Sequence, residues 1–342
     1  MKVLCAAAML LALAAPLPNP HANDASERSA TVENQSAAQR HFEFTYSFTV
    51  RNLPVGKNLR IWFPRAVTDE WQTVSVVRKA GDLPLKWTAE PAYGNRMWYA
   101  QTRARKSEYK FTVVYDVVRR EHRVDVERKS AQGVSGERSQ AELAQARYLH
   151  ADALVPTSGE PAEIARAQTA GKRSVLEKAR ALYDYTLANM SYDKTGTGWG
   201  RGDAIYACNA KRGNCTDFHS LFISMARSQG IPAKFEIGFA VPEKADGREV
   251  EVPGYHCWAE FYDAQHGWVP VDISEAWQQR AKAEYFFGAH DAARVQFSTG
   301  RDLVLSPKQA GKPLNYFVYP YVEVAGESWA NVEDSFSLRE LE

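Results

Sequence analysis

Cysteine is scarce in this chain: four residues in 342 are too few for a scaffold held by a dense disulfide framework. A charge of one sign is missing as well, since 42 Lys and Arg stand against 41 Asp and Glu, a formal net charge of +1. Bulk electrostatics therefore points to neither nucleic acid nor an anionic membrane as the main partner. Long apolar runs are also absent. The stretch from Val3 to Ala15 falls short of the roughly 20 apolar residues that cross a bilayer, and no later segment approaches that length. What is plentiful is apolar and aromatic side chain, 45% and 12% of the residues, enough for buried cores and too much for wholesale disorder. At about 150 residues per domain the length allows two domains or one large one.

Met1 and Lys2, the short apolar run, then Pro16, Pro18 and Pro20 with small residues near Ala22 and Ala25 have the shape of a secretory signal peptide, expected over residues 1–25. Its removal takes Cys5 away. Cys208, Cys215 and Cys257 then enter an oxidising compartment, periplasmic or extracellular, where an odd count leaves one thiol free or paired between chains.

Order is expected to begin at His41. Phe42, Phe44, Tyr46, Phe48 and Val50 alternate with polar residues, the period of two that puts apolar side chains on one strand face. Similar alternation at Leu59 to Phe63, Thr73 to Val77 and Tyr109 to Val117 predicts an antiparallel β-sandwich over residues 38–128. The basic excess between Arg103 and Lys129 reads as the solvated face of the last strand. Residues 129–172 read as a linker with short helices, near Gln140 to Tyr148 and Ala162 to Gln168. Ser174 and Glu177 form a capping box, and Leu176, Ala179, Tyr183, Leu187 and Met190 recur at helical spacing. Gly196, Gly198, Gly200 and Gly202 make a loop without the Lys-Ser or Lys-Thr of a phosphate-binding loop. A mobile loop bordering a cleft, with Trp199 at its tip, is expected instead. The last dozen residues are acidic and expected to fray.

Gly213-Asn214-Cys215-Thr216-Asp217-Phe218-His219 leads into a helix marked by Phe218, Leu221, Phe222 and Met225 and stopped at Gly230 and Pro232. Cys215 sits at its first turn. There the free N–H groups and the positive end of the helix dipole favour a thiolate and a developing oxyanion. Strands are expected at Ala233 to Val241, Gly254 to Tyr262 and Trp268 to Asp272. Alternation puts His256, Trp258 and Glu260 on one face and Cys257 on the other. A hairpin centred on residue 264 would set His256 beside Asp272, completing a Cys-His-Asp arrangement for nucleophilic catalysis. The competing reading is a zinc site from Cys208, Cys215, His219 and His256 or Cys257, although C-x6-C-x3-H is not a usual finger or ribbon spacing.

Together, Gly213 to Phe218, Gly230-Ile231-Pro232-Ala233, His256-Cys257-Trp258-Ala259-Glu260 and Trp268-Val269-Pro270-Val271-Asp272 resemble the transglutaminase-like domains of the papain-like cysteine protease superfamily, of the bacterial exported type. The resemblance implies an α+β domain over residues 173–335, with Cys215 as nucleophile, His256 as base and acid, and Asp272 orienting the imidazole. It also implies thiol-dependent acyl transfer or amide hydrolysis, no cofactor and no metal, and a protein or peptide substrate of the cell envelope. With Cys215 free, Cys208 and Cys257 are the pair available for a disulfide. Trp199 and Asn214 are candidates for the cleft wall or an oxyanion donor, and His219, one turn after Cys215, for core packing ahead of a part in the site. The alternative function is a non-catalytic envelope protein that holds a peptide or partner in the same cleft.

Overall fold

The computed structural model describes residues 38–127, 145–242 and 247–341; the expected signal peptide and the first part of the expected linker, residues 129–144, lie outside them. In chain order the strands are β1 (Gln39–Val50), β2 (Asn58–Pro64), β3 (Gln72–Gly81), β4 (Lys86–Ala89), β5 (Arg96–Arg103), β6 (Tyr109–Arg120), β7 (His122–Arg123), β8 (Ser191–Tyr192), β9 (Arg212–Gly213), β10 (Ala233–Ala240), β11 (Glu249–Glu251), β12 (Tyr255–Asp263), β13 (Gly267–Val271), β14 (Ala289–His290), β15 (Arg294–Thr299), β16 (Tyr321–Val324), β17 (Glu327–Ser328) and β18 (Val332–Glu340). The helices are α1 (Glu160–Gln168), α2 (Val175–Asn189), α3 (Ala204–Ala210), α4 (Cys215–Ser228) and α5 (Ile273–Gln278). The chain is α+β.

Alternation in β1 does what the pattern dictates: Phe42, Phe44, Tyr46, Phe48 and Val50 are all buried. The N-terminal β-rich region consists of two five-stranded sheets, ordered β11-β18-β1-β6-β3 and β17-β16-β2-β5-β4. Tyr46 and Phe63 stack between them with ring centroids 5.7 Å apart. Both sheets draw strands from the far end of the chain, which an expectation of local strands over 38–128 did not include. The acidic C-terminal segment does not fray. As β18 it pairs along its whole length with β1, burying Phe336 and Leu338 while acidic Glu333 and Asp334 stay exposed. Alternation with two buried apolar residues outweighs a terminal position.

The second layer is the sheet β13-β12-β10-β15 with α4 against it and α1, α2 and α3 packed on α4. Phe239 of β10 lies 5.1 Å from Phe44 and 4.4 Å from Phe336, ring to ring. One continuous apolar core therefore joins this sheet to the N-terminal one. Gly238 makes close strand packing feasible: a Cβ there would stand 1.9 Å from the Val295 carbonyl oxygen of β15.

Candidate active site

Cys215 is the first residue of α4, and its placement follows from the cap. Asn214 Oδ1 accepts the Thr216 N–H at 3.0 Å, the Asn214 carbonyl accepts from Asp217 and Phe218, and Asp217 Oδ2 accepts the Asn214 N–H at 3.0 Å. This reciprocal pattern is a capping box. It leaves the Cys215 N–H without an acceptor among the described residues.

Asp217 does more than cap. Its buried carboxylate also accepts the N–H of Gly200 at 2.7 Å and of Gly202 at 3.0 Å. Arg301 donates to the Gly202 carbonyl at 2.7 Å and to the Arg201 carbonyl at 2.9 Å, and Tyr316 reaches the Gly200 carbonyl at 3.1 Å. The glycine loop is therefore bolted to the helix start at residues 200–202, not free to move as the glycine content suggested. Trp199 spends its indole N–H on the Gly196 carbonyl at 3.2 Å, within its own loop. Asn214 directs its amide N–H to the Tyr255 hydroxyl at 2.8 Å, so it braces the wall of the site.

The hairpin forms, with a register two residues from the expected one. Ala259 faces Val271 and Asp263 faces Gly267, which centres the turn on 265 instead of 264. Asp272 has already left the strand and caps α5, accepting the Glu275 N–H at 3.1 Å through Oδ1. Its other oxygen, Oδ2, still lies 2.7 Å from His256 Nε2, because the chain turns inward at the cap. Since Nε2 is committed to a carboxylate it carries the proton, and Nδ1 is the nitrogen left for the thiol. His256 and Cys257 are the groups that act on the Cys215 thiol.

All three groups are buried, with exposures of 1%, 6% and 0% for Cys215, His256 and Asp272. Burial alone would raise the Cys215 pKa; the neighbouring Cys257 thiol and the positive field of His256 overcome it and hold the thiol well below its usual range. Burial would likewise lower His256, but Asp272 holds it well above the ordinary imidazole value. Asp272 is held well below the usual carboxylate range against its own burial, by His256 and Arg294. The three directions agree on one state, a thiolate beside an imidazolium anchored by a carboxylate.

Two residues of this cluster were missed or underrated from sequence. Arg294 Nη1 donates to Asp272 Oδ2 at 3.0 Å and its Nε reaches Asp291 at 3.2 Å; the one signal was a charged residue opening an apolar strand. His219 is fully buried and links both halves of the site. Its Nε2 accepts the Ile273 N–H at 3.1 Å, so Nδ1 carries the proton and donates to the Cys215 carbonyl at 2.8 Å. Tyr192, Tyr255 and Tyr316 complete the surroundings.

The cysteines depart from the expected pairing. Cys208, Cys215 and Cys257 are all free thiols. Cys257 turns toward α4, with Sγ 3.7 Å from His219 Nδ1, whereas Cys208 lies on α3 in the field of Glu160 at the start of α1. Different neighbours on different elements leave no bridge between them. Cys208 is thereby removed from the expected zinc set, and among the described residues the metal-competent cluster of three or more ligands contains no cysteine.

Residues 162–273 match the family described as the transglutaminase-like superfamily. An uncharacterized protein of Haemophilus influenzae is 28% identical over 362 aligned positions, spanning 96% of this chain and 95% of that one. The uncharacterized protein YebA of Bacillus subtilis is 28% identical over 121 positions, 32% of this chain and 16% of that protein. A crystal structure of a candidate cysteine protease from Cytophaga hutchinsonii superposes with a TM-score of 0.60 over 90% of this chain and 92% of that chain, at 15% identity, a likeness of fold. The helix-borne cysteine packed on an antiparallel sheet lies within the matched segment, so residues 162–273 are similar to the transglutaminase-like superfamily and the fold as a whole is like that of the Cytophaga hutchinsonii structure.

Proposed function

We propose that this protein is a thiol enzyme that cleaves or transfers the acyl group of amide bonds in proteins or peptides, using Cys215, His256 and Asp272. The observation that carries the reading is the pairing of His256 Nε2 with Asp272 Oδ2 at 2.7 Å beside a Cys215 thiol whose pKa that imidazole holds well below its usual range. The Cys215 thiolate attacks the carbonyl carbon, and the Cys215 N–H at the positive end of α4 donates to the developing oxyanion. His256 gives the proton to the leaving amine as the C–N bond breaks, leaving a thioester. It then takes a proton from water or a second amine as that nucleophile displaces sulfur. Asp272 keeps the proton on Nε2 throughout, and Arg294 keeps Asp272 charged.

The signal-like N-terminus supports a periplasmic or secreted protein, and among the described residues no helix is long and apolar enough to cross a membrane. Substrates then belong to the envelope, peptidoglycan stem peptides included. The test is alkylation by iodoacetamide at pH 7 with mass mapping of the modified residue. Cys215 is expected to react selectively, because burial raises Cys208 to about 12 and raises Cys257 as well. In His256→Ala the thiol returns toward pKa ~8.5, where only about 3% is thiolate at neutral pH, so the rate should fall roughly thirtyfold or more. A wild-type Cys215 no faster than a free thiol in solution overturns the reading.

A further inference from the structure

A second cluster of ionisable groups, which the proposed chemistry does not use, lies where three segments meet. His122 on β7, Glu260 on β12 and His290 on β14 are buried to 3%, 3% and 0% exposure, and one donor atom from each lies within 4.8 Å of the others. β7 and β14 pair with His122 opposite His290, so backbone pairing brings the two imidazoles together. His290 Nε2 donates to the Val271 carbonyl at 3.2 Å, which fixes the tautomer and leaves Nδ1 as a bare lone pair. That Nδ1 has no hydrogen-bond partner, and neither does Nδ1 of His122. His122 Nδ1 stands 3.3 Å from Glu260 Oε1, while Lys234 Nζ holds the other oxygen, Oε2, at 2.7 Å. An orphaned buried acceptor facing a carboxylate is costly unless a cation sits between them.

We propose that His122, Glu260 and His290 form a binding site for a divalent first-row transition cation, Zn²⁺ being the one whose chemistry fits best. Two imidazole nitrogens and one carboxylate oxygen are a zinc donor set, completed by water to four ligands. Bond lengths of about 2.0–2.1 Å to each donor require the three atoms to draw in modestly from their present spacing. The outer contacts are those a metal site uses: a backbone carbonyl on the far nitrogen of one histidine, and a fixed partner on the far oxygen of the carboxylate. Trp71 stacks on the His122 ring at 4.1 Å and 11°, which holds its plane. Of the neighbouring cations, Lys234 is matched by Glu236 at 2.9 Å and Arg294 by Asp272 and Asp291 at 3.0 and 3.2 Å, while buried Arg119, which also feels Glu260, keeps Nε and Nη1 without a partner. The ion would tie the end of the N-terminal β-rich region to the strand end that precedes Asp272.

The experiment uses the full chain, stripped with chelator and titrated with Zn²⁺ or Co²⁺, reading metal per chain, the Co²⁺ spectrum and thermal stability. Stoichiometric uptake with nitrogen and oxygen ligation, a raised melting temperature and full retention in Cys215→Ser are expected. His290→Ala and Glu260→Gln should each weaken uptake by more than roughly a hundredfold, beyond the 10–100-fold typical of losing an outer-shell partner. Wild-type protein that takes up no metal overturns the proposal and leaves a plain His122–Glu260 ion pair. Sulfur ligation, or uptake unaffected by His290→Ala, overturns it too. Should the variants fail to fold, the ligand atoms read from the wild-type Co²⁺ spectrum still decide.

Discussion

Replacing Asp217 by Ala removes one carboxylate and strands three backbone donors, the N–H groups of Gly200, Gly202 and Asn214. A buried donor left unpaired costs about 1–3 kcal/mol. Gly200 is half-buried and can recover water, so its share falls near the bottom of that range, whereas Gly202 and Asn214 are buried. The sum is about 3–7 kcal/mol, a large part of the roughly 5–15 kcal/mol that holds a domain folded. Asp217→Asn keeps one acceptor oxygen but turns an NH₂ toward at least one of the same donors, so it should fall between Ala and wild type. Urea unfolding followed by fluorescence reads the stability, and alkylation of Cys215 reads whether the helix start has moved. Both variants should slow alkylation, since the cap orients Cys215. An Asp217→Ala protein that loses less than about 1 kcal/mol would mean that water or other groups satisfy the three donors, and the picture of a loop bolted to the helix start would be wrong.

Gly213→Ala should reproduce the Asp217 defect without touching the carboxylate, because a Cβ at 213 would stand 2.2 Å from Asp217 Oδ2; urea unfolding showing wild-type stability would contradict this. Arg294→Met takes one of two cationic partners from buried Asp272 and the Arg294 partner from half-buried Asp291, and should cost about 3–5 kcal/mol, again read by urea unfolding. The same variant changes the pH dependence. Asp272 is depressed in the folded state, so its contribution is complete above the unfolded value of about 3.9 and is lost as pH falls through the lower folded value. His256 is raised, so its contribution is complete below about 6.5 and is lost as pH rises through the higher folded value. Stability from the pair is therefore greatest between about pH 4 and 6.5, and Arg294→Met should move the acid edge of that window upward in unfolding measurements taken across pH.

Periodicity made β1, β6, α2 and α4 readable, because each presents a run of alternating or helical apolar positions whose burial needs no knowledge of the rest of the chain. It did not reveal that β16 and β18 return to the N-terminal sheets. Strand pairing across some three hundred residues, such as Phe42 with Glu340, leaves no local mark, and the acidic residues of β18 mask its two buried positions. β5 escaped for a different reason: Met97 to Ala100 are all buried, so the segment is apolar on both faces and has no alternation to detect.

At the site, residue types were legible where geometry was not. A cysteine at a helix start and a histidine within a strand declare themselves by position, but the partner of the histidine was placed by assuming that Asp272 belongs to the strand. It belongs to the following cap, and it reaches His256 because α5 turns the chain inward at that residue. The groups that tune the triad carry no comparable signature. Arg294 acts through a side chain crossing from β15, and His219 through two backbone contacts on either side of the cleft. Cys257, expected to be tied away in a disulfide, instead lends its thiol to the Cys215 sulfur. A buried neighbour of that kind favours the thiolate only while it stays reduced, so the electrostatics of the site rest on a free cysteine that the count of three thiols in an oxidising compartment had argued against.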